Sequence, residues 1–325
     1  MTGVIIVWIE RGAAPVVNRA GMRAAALLTL IGLLTAPPVL AAGTRIAGLY
    51  VDCRGAPSSA PTVILESGAF GASADWDLVL DDLAKGGRVC AYDRAGVGDS
   101  PARAGAEDVT SIAEELAALL DGLGEARPVI LVGHSNGALY AETFAALWPE
   151  RVAGLVYVNG VTSNDLTDPM LLADLTRERH LSNLAAVAGE LGLAPVGASS
   201  VVKAEDLPPD AARRKRAALS RPSRLRVARD EDRAIVPGLF ITANLGGSPV
   251  DIPTVTIFGS TEPNGKLAKA WRAAEIVPTE RARRGWVLEA IGATHVSPLS
   301  RDRAYVTAAV NWLRSIPLPN ADVGH

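Results

Sequence analysis

Cysteine and histidine are scarce in this chain, with two and four respectively among 325 residues. None stands at the short spacings that hold zinc, so the sequence carries no metal-ligand cluster. An excess of charge of either sign is lacking as well. Thirty-two basic against thirty-five acidic side chains leave a formal net charge of −3, which argues for neither nucleic acid nor an acidic partner. Internal repeats and low-complexity tracts are absent, so neither a solenoid nor a biased, disordered chain is expected. What is present is apolar material. Hydrophobic residues make up 49% and charged residues 21%, enough for a substantial core. The length suits one large α/β domain with an insertion, or two small domains.

The N-terminus has the order of a targeting segment. Arg19 and Arg23 precede an apolar stretch from Ala24 to Ala36, and the prolines and small residues up to Gly43 follow. A positive flank, an apolar run of this length and small residues at its end describe a secretory signal, with cleavage expected near Ala41 or Ala42. The alternative is an uncleaved anchor, because the run is only slightly shorter than a membrane span; contact with a membrane is expected only in that case. No cysteine follows the run, which argues against a lipoprotein, and Met22 is a second candidate start. The expected location is secreted or periplasmic, and the folded part begins around Thr44.

Apolar runs at 62–65, 88–92, 129–133, 154–158, 253–258 and 286–291 read as buried strands. Helical stretches such as 108–123 and 138–147 separate them. This alternation predicts a mostly parallel central sheet with helices on both faces and a functional crevice at the strands' carboxyl ends. Between Asn159 and Pro253 the alternation lapses for a length that no plain loop reaches. That stretch, with helical character over 166–193 and 208–234, reads as an inserted helical cap. The expected division is 1–43 as signal or anchor, 44–160 and 251–325 as the two parts of the core, and 161–250 as the cap. The cap carries Arg213, Arg214, Lys215, Arg216, Arg221, Arg224, Arg226 and Arg229, which read first as a solvated helix face and second as an attractor of anions.

The most informative stretch is 129–137, Val-Ile-Leu-Val-Gly-His-Ser-Asn-Gly. A β-branched run ends in Gly133, Ser135 and Gly137 at G-x-S-x-G spacing, and helix-forming sequence follows at once. Strand, tight turn and helix put the serine on a strained turn at the end of a sheet, with glycines where side chains would clash. Three further segments accompany it. They are Thr62-Val-Ile-Leu-Glu-Ser-Gly-Ala-Phe-Gly, Arg88-Val-Cys-Ala-Tyr-Asp-Arg-Ala-Gly-Val-Gly-Asp-Ser, and Gly292-Ala-Thr-His-Val-Ser-Pro.

With these four landmarks in this order, the chain from about 45 to about 315 resembles an α/β hydrolase of the serine esterase and lipase branch, with a helical cap. The resemblance implies that Ser135 is the nucleophile and that His295, after the last strand, is its base. His134 neighbours the serine but should be turned away from it, His180 falls in the cap, and His325 is terminal. The acid of the triad comes after a strand between serine and histidine, where Phe258-Gly259-Ser260-Thr261-Glu262-Pro263 stands. Glu262 is the expected acid, a departure from the family's usual aspartate. Asp165 is the alternative, because some relatives place the acid after the preceding strand, where this chain has Asn159; Asp251 precedes its strand and fits less well. The resemblance assigns the oxyanion donors to the backbone N–H groups of Ala69 and Asn136. Ser67 replaces the family's usual histidine, and Asp93, Arg94 and Asp99 are expected to organise a turn.

The implied reaction is cleavage of a small-molecule carboxylic ester through an acyl-enzyme, with no cofactor. A serine at this position argues against epoxide hydrolase and dehalogenase chemistry. Amide or peptide cleavage, acyl transfer and perhydrolysis on the same triad stay open, as does a ligand-binding homologue without turnover. An even cysteine count in an exported chain, with Cys53 and Cys90 in or beside strands expected to be neighbours, suggests a disulfide between them.

Overall fold

A computed structural model describes residues 43–105, 107–190, 206–218, 222–260 and 265–317. The N-terminal signal or anchor, the acid candidate Glu262, Arg221 and His325 lie outside the described residues.

Eight strands form one sheet: β1 Thr44–Ile46, β2 Leu49–Arg54, β3 Val63–Glu66, β4 Val89–Tyr92, β5 Val129–His134, β6 Val152–Val158, β7 Thr254–Gly259 and β8 Gly285–Ala290. Their spatial order is β1-β2-β4-β3-β5-β6-β7-β8. β2 runs antiparallel to β1 and β4, and every later pair is parallel. The six apolar runs correspond to β3 through β8. Their residues alternate between two cores, as a period of two requires. Ile64 and Leu131 face a layer built by the helices α2 Val109–Gly122 and α3 Asn136–Leu147, with Leu116 and Phe144 packed there. Val63, Leu65, Ile130 and Val132 face the other layer, against α1 Asp77–Leu83 and the C-terminal helix, Ala304–Ser315, through Leu80 and Val310.

β1 and β2 were not among the apolar runs, for a physical reason. They lie at the margin of the sheet, and β2 carries Asp52 and Arg54, paired to each other at 3.0 Å. β2 also holds Cys53 directly opposite Cys90 of β4, and the two are joined in a disulfide.

Between β6 and β7 come α4 Pro169–Glu190, α5 Pro209–Ala218 and α6 Pro222–Asn244. The last runs ten residues past the end expected from the sequence, through Pro237. A proline inside a helix removes a hydrogen bond, but here tertiary packing prevails. Leu239 and Thr242 are fully buried, and Thr242 shares a 2.6 Å hydrogen bond with Thr143 of α3. Helix α7 Lys266–Arg281 follows β7, and the C-terminal helix is α8.

The basic cluster of the cap divides between a solvated face and contacts with the core. Arg214 donates to Asp77 at 2.8 Å, Lys215 pairs with Asp75, and Arg224 pairs with Asp99 at 3.4 Å. Arg213 pairs within its own helix with Asp210, and Arg216 and Arg226 face solvent. Arg214, Lys215 and Arg224 therefore clamp the cap onto acidic residues of the core, while Arg213, Arg216 and Arg226 stay on the solvated face.

The disulfide closes a separation of 37 residues. A loop of that size corresponds to about 4 kcal/mol of unfolded-state entropy. Cys53→Ser combined with Cys90→Ser is expected to lower unfolding stability by about that much in urea titrations. Equal stability with and without the bridge would contradict the expectation.

Candidate active site

Ser135 stands between β5 and α3 with φ 53° and ψ −125°. A residue with a side chain is strained there, at a cost of roughly 1–3 kcal/mol. Close packing enforces the turn. A Cβ on Gly133 would lie 2.5 Å from the Gly137 carbonyl oxygen, and one on Gly137 would lie 2.5 Å from that of Glu66. Neither position admits any other residue without opening the turn. Backbone hydrogen bonds complete the restraint. Ser135 N–H donates to Val158 O at 3.1 Å, and Ser135 O accepts from Ala138 at 3.0 Å and from Val161 at 3.1 Å.

His295 lies on the loop after β8. Its backbone carbonyl accepts two hydrogen bonds, from His134 Nε2 and Asn159 Nδ2, each at 2.9 Å. Asn159 also accepts from Gly259 N–H at 2.8 Å, so one amide joins the ends of β6 and β7 to the histidine loop. Burial pushes the His134 imidazole down to about 4. It is therefore neutral at pH 7, and the contact to a carbonyl assigns its proton to Nε2. The loop is closed further by Thr294 N–H donating to Ser297 Oγ at 2.9 Å.

Ser135, Asn136 and His295 line one cavity of about 540 Å³, with Val161, Asp174 of α4 and Trp271 of α7 among its walls. Trp271 Nε1 donates to Asp174 at 3.0 Å, and Asp174 pairs with Arg177 at 2.5 Å. Asn136 is the first residue of α3, where a backbone N–H has no intrahelical partner. Ala69 is not among the cavity-lining residues. It occupies the adjoining turn, closed by Gly71 N–H donating to Gly68 O at 3.1 Å. That turn abuts the serine, since a Cβ on Gly68 would lie 2.8 Å from Ser135 Cβ. Ser67, standing where the resemblance expected histidine, accepts from the buried Trp76 Nε1 at 3.0 Å. Its hydroxyl anchors the turn to the core.

Glu262 belongs to 261–264, outside the described residues, but Gly259 and Gly265 on either side line the cavity. Asp165 is fully buried and is absent from the cavity wall. It caps the short turn Ser163–Thr167, accepting from Thr162 N–H at 2.9 Å. Asp251 pairs with Arg283 at 2.7 Å on the surface. Asp93 accepts from Ser73 at 2.7 Å and from Asp99 at 2.8 Å, holding the turn in which it stands.

Sequence reasoning placed His134 away from the serine, and it is not among the cavity-lining residues. Its grip on the His295 carbonyl was missed, as was that of Asn159. The only local signal was polar residues at the carboxyl ends of two adjacent central strands, where a crevice is expected.

The model of the alpha/beta hydrolase fold family matches residues 61–203. RutD of Stutzerimonas stutzeri, provisionally named a carbamate hydrolase, is 40% identical over 105 residues, 32% of this chain and 39% of that protein. An AB hydrolase superfamily protein of Gibberella zeae is 34% identical over 143 residues, 42% of this chain and 44% of its own. The chain thus spans about two fifths of the length of the curated relatives it matches. Among solved structures, Cfl2 of Burkholderia cenocepacia has a TM-score of 0.65 at 19% identity, covering 83% of this chain and 94% of that one. Potato epoxide hydrolase I has a TM-score of 0.64 at 20% identity, covering 84% and 98%. These last two are likenesses of fold.

Burial pushes the Asp165 carboxyl up to about 8, and the neighbouring Glu142 carboxylate adds to the shift. A raised folded value means that ionising Asp165 opposes folding. The opposition is absent below the unfolded value near 3.9 and grows as pH rises to about 8. Asp165→Asn is therefore expected to match wild type in melting temperature at pH 4 and to exceed it increasingly up to pH 8. A difference independent of pH would contradict this.

Proposed function

From an α/β-hydrolase fold that the family's own sequence model matches over residues 61–203, we propose that this protein is a serine hydrolase cleaving carboxylic esters. The observation that carries the reading is Ser135 on its strained turn, opening into the same cavity as His295.

A serine hydroxyl is a weak nucleophile and needs a base for its proton. In this reading His295 takes the Ser135 proton as Oγ attacks the ester carbonyl. The N–H groups of Asn136 and Ala69 receive the negative charge that develops on the carbonyl oxygen. His295 then gives its proton to the leaving alcohol, and the acyl group stays on Ser135. Water, deprotonated by His295, attacks the acyl-enzyme, and the acid is released with Ser135 reprotonated. Glu262 is the group we assign to hold the imidazole and stabilise its cation. The immersion of Asp165 in a turn-capping role supports that choice over the alternative. The cavity volume suits a small organic ester.

A carbamate is the second reading. It is favoured by the 40% identity to RutD, whose name assigns it such a substrate, and it presents the same kind of carbonyl to the same nucleophile. The likeness to potato epoxide hydrolase I extends to the fold, whereas the residue on the turn here is serine. An extracytoplasmic location is part of the proposal, supported by the basic and apolar order of residues 19–43 and by the Cys53–Cys90 bridge. Such bridges persist in oxidising compartments.

Hydrolysis of a p-nitrophenyl ester series from acetate to palmitate tests the reading. Wild type should turn over, and Ser135→Ala should lose at least about 10³-fold in kcat. Glu262→Gln should lose most activity while Asp165→Asn retains it. Turnover that survives Ser135→Ala would exclude the mechanism, and the opposite ranking of the two acid variants would reassign the acid.

A further inference from the structure

Arg94 lies two residues beyond β4 and is only 3% exposed. All five of its N–H groups have acceptors. Nε and Nη2 form a two-point contact with the Glu231 carboxylate of α6, each at 2.8 Å. Nη1 donates to Glu66 and to the Ser67 carbonyl, both at 2.6 Å, and Nη2 donates also to the Gly68 carbonyl at 3.2 Å. The guanidinium carbon sits 4.9 Å from the ring centre of Tyr140, on α3. One buried cation therefore touches the turn beside Ser135, the helix that begins next to Ser135, and the cap.

The Gly68 contact has a geometric consequence. The Gly68 carbonyl and the Ala69 N–H belong to one peptide unit, which is planar and trans, so holding the oxygen sets the opposite direction of the N–H. A donor on the carbonyl also polarises the unit and strengthens its N–H as a donor. Gly71 N–H supplies the second hydrogen bond to that oxygen at 3.1 Å.

Glu231 brings in the cap. It is 1% exposed and lies 137 residues from Arg94 in sequence. If α6 shifted, the guanidinium would be left buried with N–H groups unfilled, and breaking a buried pair from one side is strongly unfavourable. The docked position of α6 and the orientation of the turn at Gly68 and Ala69 are thereby coupled.

We propose that Arg94 is a positioning residue for the oxyanion donor at Ala69, and that Glu231 makes this positioning depend on the docked cap. The inference rests on the ester-hydrolase reading of Ser135. It predicts that the pair acts on the tetrahedral adduct and not on the bound ester.

The test is steady-state hydrolysis of p-nitrophenyl acetate together with inhibition by phenylboronic acid, whose boron adds a serine oxygen to mimic the tetrahedral adduct. Four proteins are compared: wild type, Glu231→Gln, Arg94→Lys and Arg213→Ala, each checked for folding by circular dichroism. Glu231→Gln keeps the shape of the side chain and removes its charge. It should lower kcat by about 10-fold, and Arg94→Lys by about 10²-fold, against the 10²–10³-fold known for loss of a whole oxyanion donor. KM should stay within about twofold, the pattern of an interaction made only in the transition state. Boronate affinity should weaken in parallel with kcat. Arg213→Ala, which removes an exposed ion pair with Asp210 inside the cap, should leave both unchanged.

A folded Glu231→Gln protein with wild-type kcat would overturn the proposal. So would a loss confined to KM, or a loss of kcat with boronate affinity unchanged. If Arg94→Lys does not fold, Glu231→Gln alone decides. Wild type inert to both ester and boronate would remove the hydrolase reading and this inference with it. That outcome is distinct from a wild type that reacts and variants that match it.

Discussion

The constraint on which the site depends is the close passage of backbone around Ser135. The end of β5, the first turn of α3 and the end of β3 approach so tightly that Gly133 and Gly137 leave no room for a Cβ. The serine between them is forced to positive φ. Strain of this kind survives only where the surroundings over-determine it, and here the hydrogen bonds that Ser135 donates to β6 and accepts from Val161 do so. The sheet supplies the rigidity. With its central strands buried on both faces, the strand ends form a fixed rim, and side chains placed on that rim keep their positions relative to one another.

Three features of that rim bear on chemistry. The His295 loop is held through its backbone carbonyl, by His134 and Asn159 from neighbouring strand ends. The turn at Ser67–Gly71 is held from below by Trp76 and from the side by Arg94. Charge also holds the cap, with Arg214, Lys215 and Arg224 reaching acidic residues of the core.

Much of this architecture was readable from residue order. β3 to β7 are apolar runs buried almost throughout, which stand out in sequence because few polar residues interrupt them, whereas β8 at the edge is half-exposed and carries Glu289. The G-x-S-x-G turn was readable because its glycines answer a steric demand that is local. β2 was harder to see, since Asp52 and Arg54 break its apolar pattern and pair with each other instead. The helix α6 extends ten residues past the helical stretch read from sequence, because the burial of Leu239 and Thr242 against the core carries it on through Pro237. The roles of Asn159 and Arg94 were hidden for a different reason. Each acts on partners 100 or more residues away, or on backbone carbonyls that have no sequence identity to read. The basic residues of the cap likewise look like a solvated face until the acidic loops they meet are known.

The most direct measurement is the site of covalent labelling by a fluorophosphonate, read by peptide mass spectrometry on the folded protein. The account predicts one adduct, on the peptide containing Ser135, formed faster than on heat-denatured protein because His295 and the oxyanion donors assist the attack. No adduct on folded protein, or an adduct on a different serine, would contradict it.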